Sequence, residues 1–130
     1  MLMWVVIERR AGYLFSPCST DKALEILRDN SVLPLLQFYP EGMKDVEKYL
    51  ISENALLIVM PEEDQVEVHI AAKYRDRASI RESLEDGIEW LKGRGFSRIV
   101  TTAPDERKAL VNLLTSLGFC KDGERWTIWV

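Results

Sequence analysis

Glu67 and His69, two residues apart, are the first candidates for chemistry. They lie in residues 65–72, Gln-Val-Glu-Val-His-Ile-Ala-Ala. Val66, Val68 and Ile70 alternate there with Glu67, His69 and Ala71, the period of a strand. Alternation places the carboxylate and the imidazole on one face. An imidazole titrates near neutrality, so His69 suits taking a proton from an amine, directly or through water. Glu67 suits the same task if burial raises its proton affinity. A plainer reading stands beside this one: His69 as a hydrogen-bonded, partly buried sheet residue and Glu67 as a solvated strand carboxylate.

The second candidate follows at once. Residues 72–80 carry Arg75, Asp76, Arg77, Ala78 and Ser79 between that strand and a helical pattern. A strand that turns directly into a helix leaves the first N–H groups of the helix unpaired, an anion site ready for a pyrophosphate. Arg75 and Arg77 suit phosphate. Asp76 adds a like charge in the same place. It also fits a plain helix cap, with both arginines solvated.

The elements that must position these residues read as a mixed α/β sheet. Residues 3–8 are β-rich, and Gly12 separates them from a short second strand at 13–15. Ser19, Thr20 and Asp21 precede Ala23, Leu24 and Leu27, a capped helix ending near Asp29. Residues 32–38 carry Pro34 and read as a turn or short helix. Val46, Tyr49 and Leu50 fall at helical spacing and predict a second helix over 43–51. Residues 55–60 are continuously apolar, a central strand covered on both faces. With the Pro61-Glu62-Glu63-Asp64 turn they form an antiparallel hairpin with 65–72. Ile80, Leu84, Ile88 and Leu91 stripe a long helix stopped by Gly93 and Gly95. Residues 98–103 form a strand, and Pro104-Asp105 opens a helix turning Leu110, Leu113, Leu114 and Leu117 inward to Gly118. Residues 126–130 close the sheet. Trp126 and Trp129, three apart, point to opposite faces, so one of them is exposed or at an interface. Trp4 and Trp90 are core. Glu82, Glu85, Asp86 and Glu89 are the wet face of the long helix.

Composition narrows the function. At 130 residues the chain makes one domain, 1–130, able to bury a core without staples. Seventeen basic against 21 acidic residues give −4, which disfavours a sequence-independent grip on nucleic acid. No apolar run approaches the roughly 20 residues of a membrane span. The apolar start of the chain is broken too early by Glu8, Arg9 and Arg10 for a signal-peptide core. The expected location is the cytoplasm, with Cys18 and Cys120 reduced and partly buried. One histidine and no Cys/His cluster predict no metal site.

Two blocks of the second half resemble the GCN5-related N-acetyltransferase (GNAT) superfamily. Its strand-to-helix turn, V-x-P-x-x-R/Q-G-x-G/A, falls on Ile70, Ala71, Ala72, Lys73, Tyr74, Arg75, Asp76, Arg77 and Ala78. Its later V-x-x-x-N-x-x-A-x-x-L-Y-x-x-L-G-F runs without a gap from Ala103 to Phe119, closing on Leu117-Gly118-Phe119. The chain is most similar to short members common in bacteriophages, where a strand of the Glu-Val-His-Ile-Ala kind precedes the helix. It departs from the pattern at both turn glycines, now Asp76 and Ala78. It departs again at the asparagine, now Arg107, and at the thiol-protonating tyrosine, now Leu114.

The resemblance implies a single-domain acyl-CoA N-acyltransferase fold, a mixed sheet flanked by helices. It also implies an acetyltransferase using acetyl-CoA as co-substrate and an amine as acceptor. The backbone at Ile70, Ala71 and Ala72 would pair with the pantetheine amides. Arg75, Asp76, Arg77, Ala78 and Ser79 would hold the pyrophosphate, and His69 or Glu67 would deprotonate the amine. The rival is a non-catalytic module of the same fold, a binding or structural part of a phage particle or one acting on a host protein. A homodimer through a terminal strand or an exposed tryptophan fits either. In both cases the strands at 66–72 and 98–103 should be adjacent, parallel and splayed at their C-terminal ends, joined by a crossover helix over 77–92. Cys18 and Cys120 should both titrate as free thiols in denaturant without reductant; a chain mass about two daltons below the reduced value would contradict this.

Overall fold

A computed structural model describes residues 16–36, 40–73 and 80–130. The strands expected at 3–8 and 13–15, Trp4, and the turn from Tyr74 to Ser79 lie outside the described residues. Among the described residues seven strands form one sheet in the order β1-β2-β3-β4-β5-β7-β6. They are β1 (Ser16–Pro17), β2 (Glu47–Ser52), β3 (Ala55–Glu62), β4 (Gln65–Ala72), β5 (Arg98–Thr102), β6 (Cys120–Asp122) and β7 (Arg125–Trp129). The helices are α1 (Thr20–Leu27), α2 (Ile80–Gly93) and α3 (Lys108–Ser116).

Helix α1 begins where Ser19 Oγ accepts the Lys22 amide N–H at 3.1 Å. It buries Ala23, Ile26 and Leu27 against Leu56, Ile58 and Ala71. The opposite face of the sheet holds the larger core. There Leu57, Val59, Val66 and Val68 meet Trp90 and Leu91 of α2 and Leu114 of α3. Residues 55–59 of β3 are therefore buried on both faces, as their unbroken apolar run predicts. Leu33–Leu35 and Pro40–Met43 are single 3₁₀ turns.

The helix expected over 43–51 is a strand instead. Val46, Tyr49 and Leu50 match a helical stripe, but pairing of β2 with β3, Glu47 opposite Val59 through Ser52 opposite Ala55, overrides it. The misleading residue is Lys48. It lies inside, only 8% exposed, with its ammonium donating to the carbonyls of Met43 at 2.7 Å and Val46 at 3.1 Å. A buried lysine erases the in-out alternation by which a strand is recognised. Strand β6, three exposed residues, carries no pattern at all.

Helices α2 and α3 end in the same way. In each a glycine takes a left-handed φ, Gly95 at 98° and Gly118 at 96°. The next residue then closes a wide turn: Phe96 N–H donates to Leu91 O at 3.5 Å, and Phe119 N–H to Leu114 O at 3.0 Å. Helix α3 starts later than Pro104, at Lys108. Of its four expected inward leucines only Leu114 is fully buried. Leu110, Leu113 and Leu117 are half-buried, and the first two face a cavity described below. On α2, Glu82, Glu85 and Glu89 are exposed as expected, but Asp86 is half-buried.

An aromatic cluster fastens α2 to β2. The Tyr49 and Trp90 rings meet edge to face with centroids 4.7 Å apart. The Arg94 guanidinium lies over Trp90 at 5.2 Å and donates to Glu47 at 2.5 Å. Burial, and the Tyr49 hydroxyl's hydrogen bond to Glu47, push the Tyr49 phenol up to about 12. Trp126 is buried and Trp129 is 68% exposed, the two-faced outcome expected from their spacing. Both thiols are free. Cys18 is buried, which pushes its pKa up against the nearby Lys48 charge, and Cys120 is exposed rather than partly buried. Leu56 is fully buried between β3 and α1. Leu56→Ala should cost about 2–5 kcal/mol in denaturant unfolding; a loss under about 1 kcal/mol would show the α1 layer to be loosely packed.

Candidate active site

Strands β4 and β5 run parallel, as the crossover through α2 requires, but they pair over three positions only. Gln65 faces Arg98, Val66 faces Ile99 and Glu67 faces Val100. Strand β4 continues to Ala72, fully paired with β3 on its other side, and β5 continues to Thr102 beside β7. The two strands therefore part after Glu67 and Val100, the splay expected from the sequence. A cavity of about 260 Å³ occupies the opening. Consecutive residues of β4, Val68 through Ala72, line it, so it follows the edge of the strand rather than one face. Thr101 and Thr102 line it from β5.

The cavity reaches both layers. Toward α1 it is walled by Val32, Leu35, Leu36 and Ile58. Toward α2 and α3 it is walled by Ile80, Leu84, Leu110, Leu113, Leu114 and Phe119. The Leu-Gly-Phe turn thus puts Phe119 into the cleft while capping α3. At the outer surface the two helices meet through Arg81, which donates to Ser116 Oγ at 2.5 Å.

Glu67 and His69 point to the α1 face, beside Met60 and Ile58 of β3. The structure brings them together: Glu67 Oε2 lies 2.7 Å from His69 Nε2. The side chains are 31% and 18% exposed respectively. A carboxylate in its ionised form only accepts, and the bond then places a proton on Nε2. Glu67 stands where the strands begin to diverge, and His69 lines the cavity. His69 is thus hydrogen-bonded and partly buried, as the plainer reading also expects, while Glu67 is its partner rather than a carboxylate bonded only to water.

Of the expected cofactor residues, Ile70, Ala71 and Ala72 line the cleft. Arg75, Asp76, Arg77, Ala78 and Ser79 lie outside the described residues. Arg107, in the asparagine position of the family pattern, lines the cavity just before α3. Leu114, in the tyrosine position, also lines it, and is 1% exposed. Sequence reasoning missed the first-half contribution of Val32, Leu35 and Leu36, and the two threonines. The only signal was Pro34 inside an apolar run and a Thr pair at a strand end. Among the described residues no cluster of His, Cys, Asp and Glu suits a metal ion. No helix among them is long and apolar enough to cross a membrane.

A seven-stranded mixed sheet whose parallel central pair splays around a cleft defines an acyltransferase-type α/β fold. Solved structures make this specific. The ribosomal-protein-S18-alanine N-acetyltransferase from Escherichia coli matches with a TM-score of 0.73 at 16% identity, over 91% of this chain and 94% of that one. A probable GNAT-family acetyltransferase from Chromobacterium violaceum matches with a TM-score of 0.72 at 10% identity, over 94% and 90%. The ribosomal-protein-S5-alanine acetyltransferase from Vibrio fischeri matches with a TM-score of 0.68 at 12% identity, over 90% and 92%. No protein-family model matches the sequence, and no curated protein is significantly similar to it. The chain has the fold of the GNAT acetyltransferases.

Leu114 sits in a closed apolar wall. Leu114→Tyr should therefore cost about 1–3 kcal/mol in thermal or denaturant unfolding; an unchanged or raised stability would mean the wall has room for a phenol.

Proposed function

We propose that this chain is an acetyl-CoA-dependent N-acetyltransferase acting on an amine. The observation that carries the reading is the hydrogen-bonded Glu67–His69 pair at the divergence of β4 and β5, with His69 lining the cleft. In the proposed complex the thioester arm lies along the β4 edge at Ile70, Ala71 and Ala72. The backbone there offers N–H and C=O groups to the pantetheine amides, as an opened strand edge does. The pyrophosphate lies at residues 75–79, where Arg75 and Arg77 supply charge and the helix start supplies N–H groups. The acceptor amine enters from the α1 face, where Glu67 and His69 project.

The chemistry balances with these parts. The amine nitrogen attacks the thioester carbonyl carbon and forms the C–N bond. An acceptor arriving as ammonium first releases one proton to water; His69 Nδ1 takes the second proton as the neutral nitrogen attacks, and Glu67, accepting from Nε2–H, stabilises the imidazolium that results. The C–S bond then breaks and the thiolate of CoA leaves. With Leu114 in the tyrosine position, the thiolate takes its proton from solvent or from the imidazolium. The products are the N-acetyl amide and CoA. Glu67 is thus a positioning residue for His69 and the first surface an ammonium ion meets.

The buried Leu114 favours a second reading, a non-catalytic module that keeps the fold and has lost transfer chemistry. Acetyl-CoA binding separates the two. Saturating acetyl-CoA at about 100 times its Kd should stabilise the chain by about 2.7 kcal/mol, seen as a raised Tm. Asp76→Gly should tighten binding, by removing a like charge and a Cβ from the phosphate path. Replacing both Arg75 and Arg77 with Ala should weaken it, with little loss of unliganded stability. His69→Gln should leave that thermal shift intact and lower kcat by about 10²–10⁴. No heat and no Tm shift at millimolar acetyl-CoA would sink the transferase reading.

A further inference from the structure

Large apolar side chains are rarely exposed among the described residues. Among the described residues three stand out: Leu33 at 45%, Leu35 at 37% and Trp129 at 68%. Two of the three sit on one 3₁₀ turn, Leu33–Leu35, at the α1 side of the cleft. Leu35 lines the cavity together with Val32, Leu36 and Ile58, and His69 lines the same cavity. An isolated exposed leucine needs no explanation, whereas an apolar rim beside a cavity that also carries His69 marks a binding surface.

The polar content of the cleft is equally selective. Among its described lining residues the titratable groups are His69 and Arg107, and no lining residue is a carboxylate. Glu67 adds a negative charge at the His69 ring, hydrogen-bonded to its Nε2. One ammonium group can therefore be received by the Glu67–His69 pair. A second positive charge would find the aliphatic walls of the described lining, which oppose it.

We infer that the acceptor is a monoamine carried on a small apolar body, of the arylalkylamine or branched alkylamine class. The amine meets His69 and Glu67, and the body packs under Val32, Leu35 and Leu36. This rests on the transferase reading above for its consequence but not for its binding step. Polyamines and the N-termini of basic peptides are the excluded acceptors.

The full-length chain tests this with 2-phenylethylamine, spermidine and a basic peptide with a free N-terminal alanine as probes. Amine binding is measured first by calorimetry, with and without acetyl-CoA. Transfer is then followed by the loss of thioester absorbance, which avoids thiol reagents that would label the exposed Cys120. The expected result is kcat/KM for 2-phenylethylamine at least about tenfold above that for either other probe. Leu35→Glu should raise KM for 2-phenylethylamine about tenfold or more, and Leu35→Met should restore it, while the thermal shift from acetyl-CoA stays unchanged in both. Binding of 2-phenylethylamine without any acetyl-CoA binding would uphold the site and overturn the transferase reading. Faster transfer to spermidine or to the peptide would overturn the site while upholding transfer. No binding of 2-phenylethylamine in either condition would also overturn it.

Discussion

The parting of two parallel strands after three residue pairs is the constraint on which the rest depends. A parallel pair normally continues until one strand ends. Here both continue and diverge, so backbone groups that would have bonded across the sheet line an opening instead. Such an opening is stable only if other elements hold its sides apart. Antiparallel neighbours do that: β3 pairs with the whole of β4, and β7 with the whole of β5. Each side of the split is thus a rigid antiparallel unit. The cleft between them is a property of the backbone, and the side chains that fill its walls are free to differ.

This arrangement decides what lies beside Glu67 and His69. They are two apart on one strand and would lie side by side on any sheet. On a sheet that stayed closed, β5 would continue beside them. Because the ladder ends at Glu67, His69 projects beside open space while its Nε2 stays fixed on Glu67. Position along β4, more than residue type, separates a candidate base from an ordinary sheet histidine.

Much of the second half was legible in the sequence because each element there carries one unmixed signal. The apolar run at 55–60, the alternation at 65–72 and the Ile80–Leu84–Ile88–Leu91 stripe each predict one structure, and the glycines mark both helix ends. The ungapped spacing of two motif blocks then predicted the splay. The first half was less legible because its residues follow tertiary partners. Lys48 is buried on carbonyls, so β2 resembles a helix; Val32 and Leu36 serve the cleft through a single 3₁₀ turn. Arg107 and Leu114 depart from the family pattern yet still line the cavity, so the geometry of the site outlived the residues by which a motif is recognised.

Helix α2 is held very differently at its two ends. Its last turn is clamped to β2 by the Tyr49–Trp90 contact and by Arg94 spanning Trp90 and Glu47. Near its first turn one polar tie is the exposed Arg81–Ser116 hydrogen bond. A rod of 14 residues spans about 20 Å. A tilt of about 5° about the clamped end therefore carries Ile80, at the mouth of the cleft, through about 2 Å. Ile80 packs against the same core cluster as Trp90 and Leu91, so the width of the cleft and the packing beneath the helix are coupled.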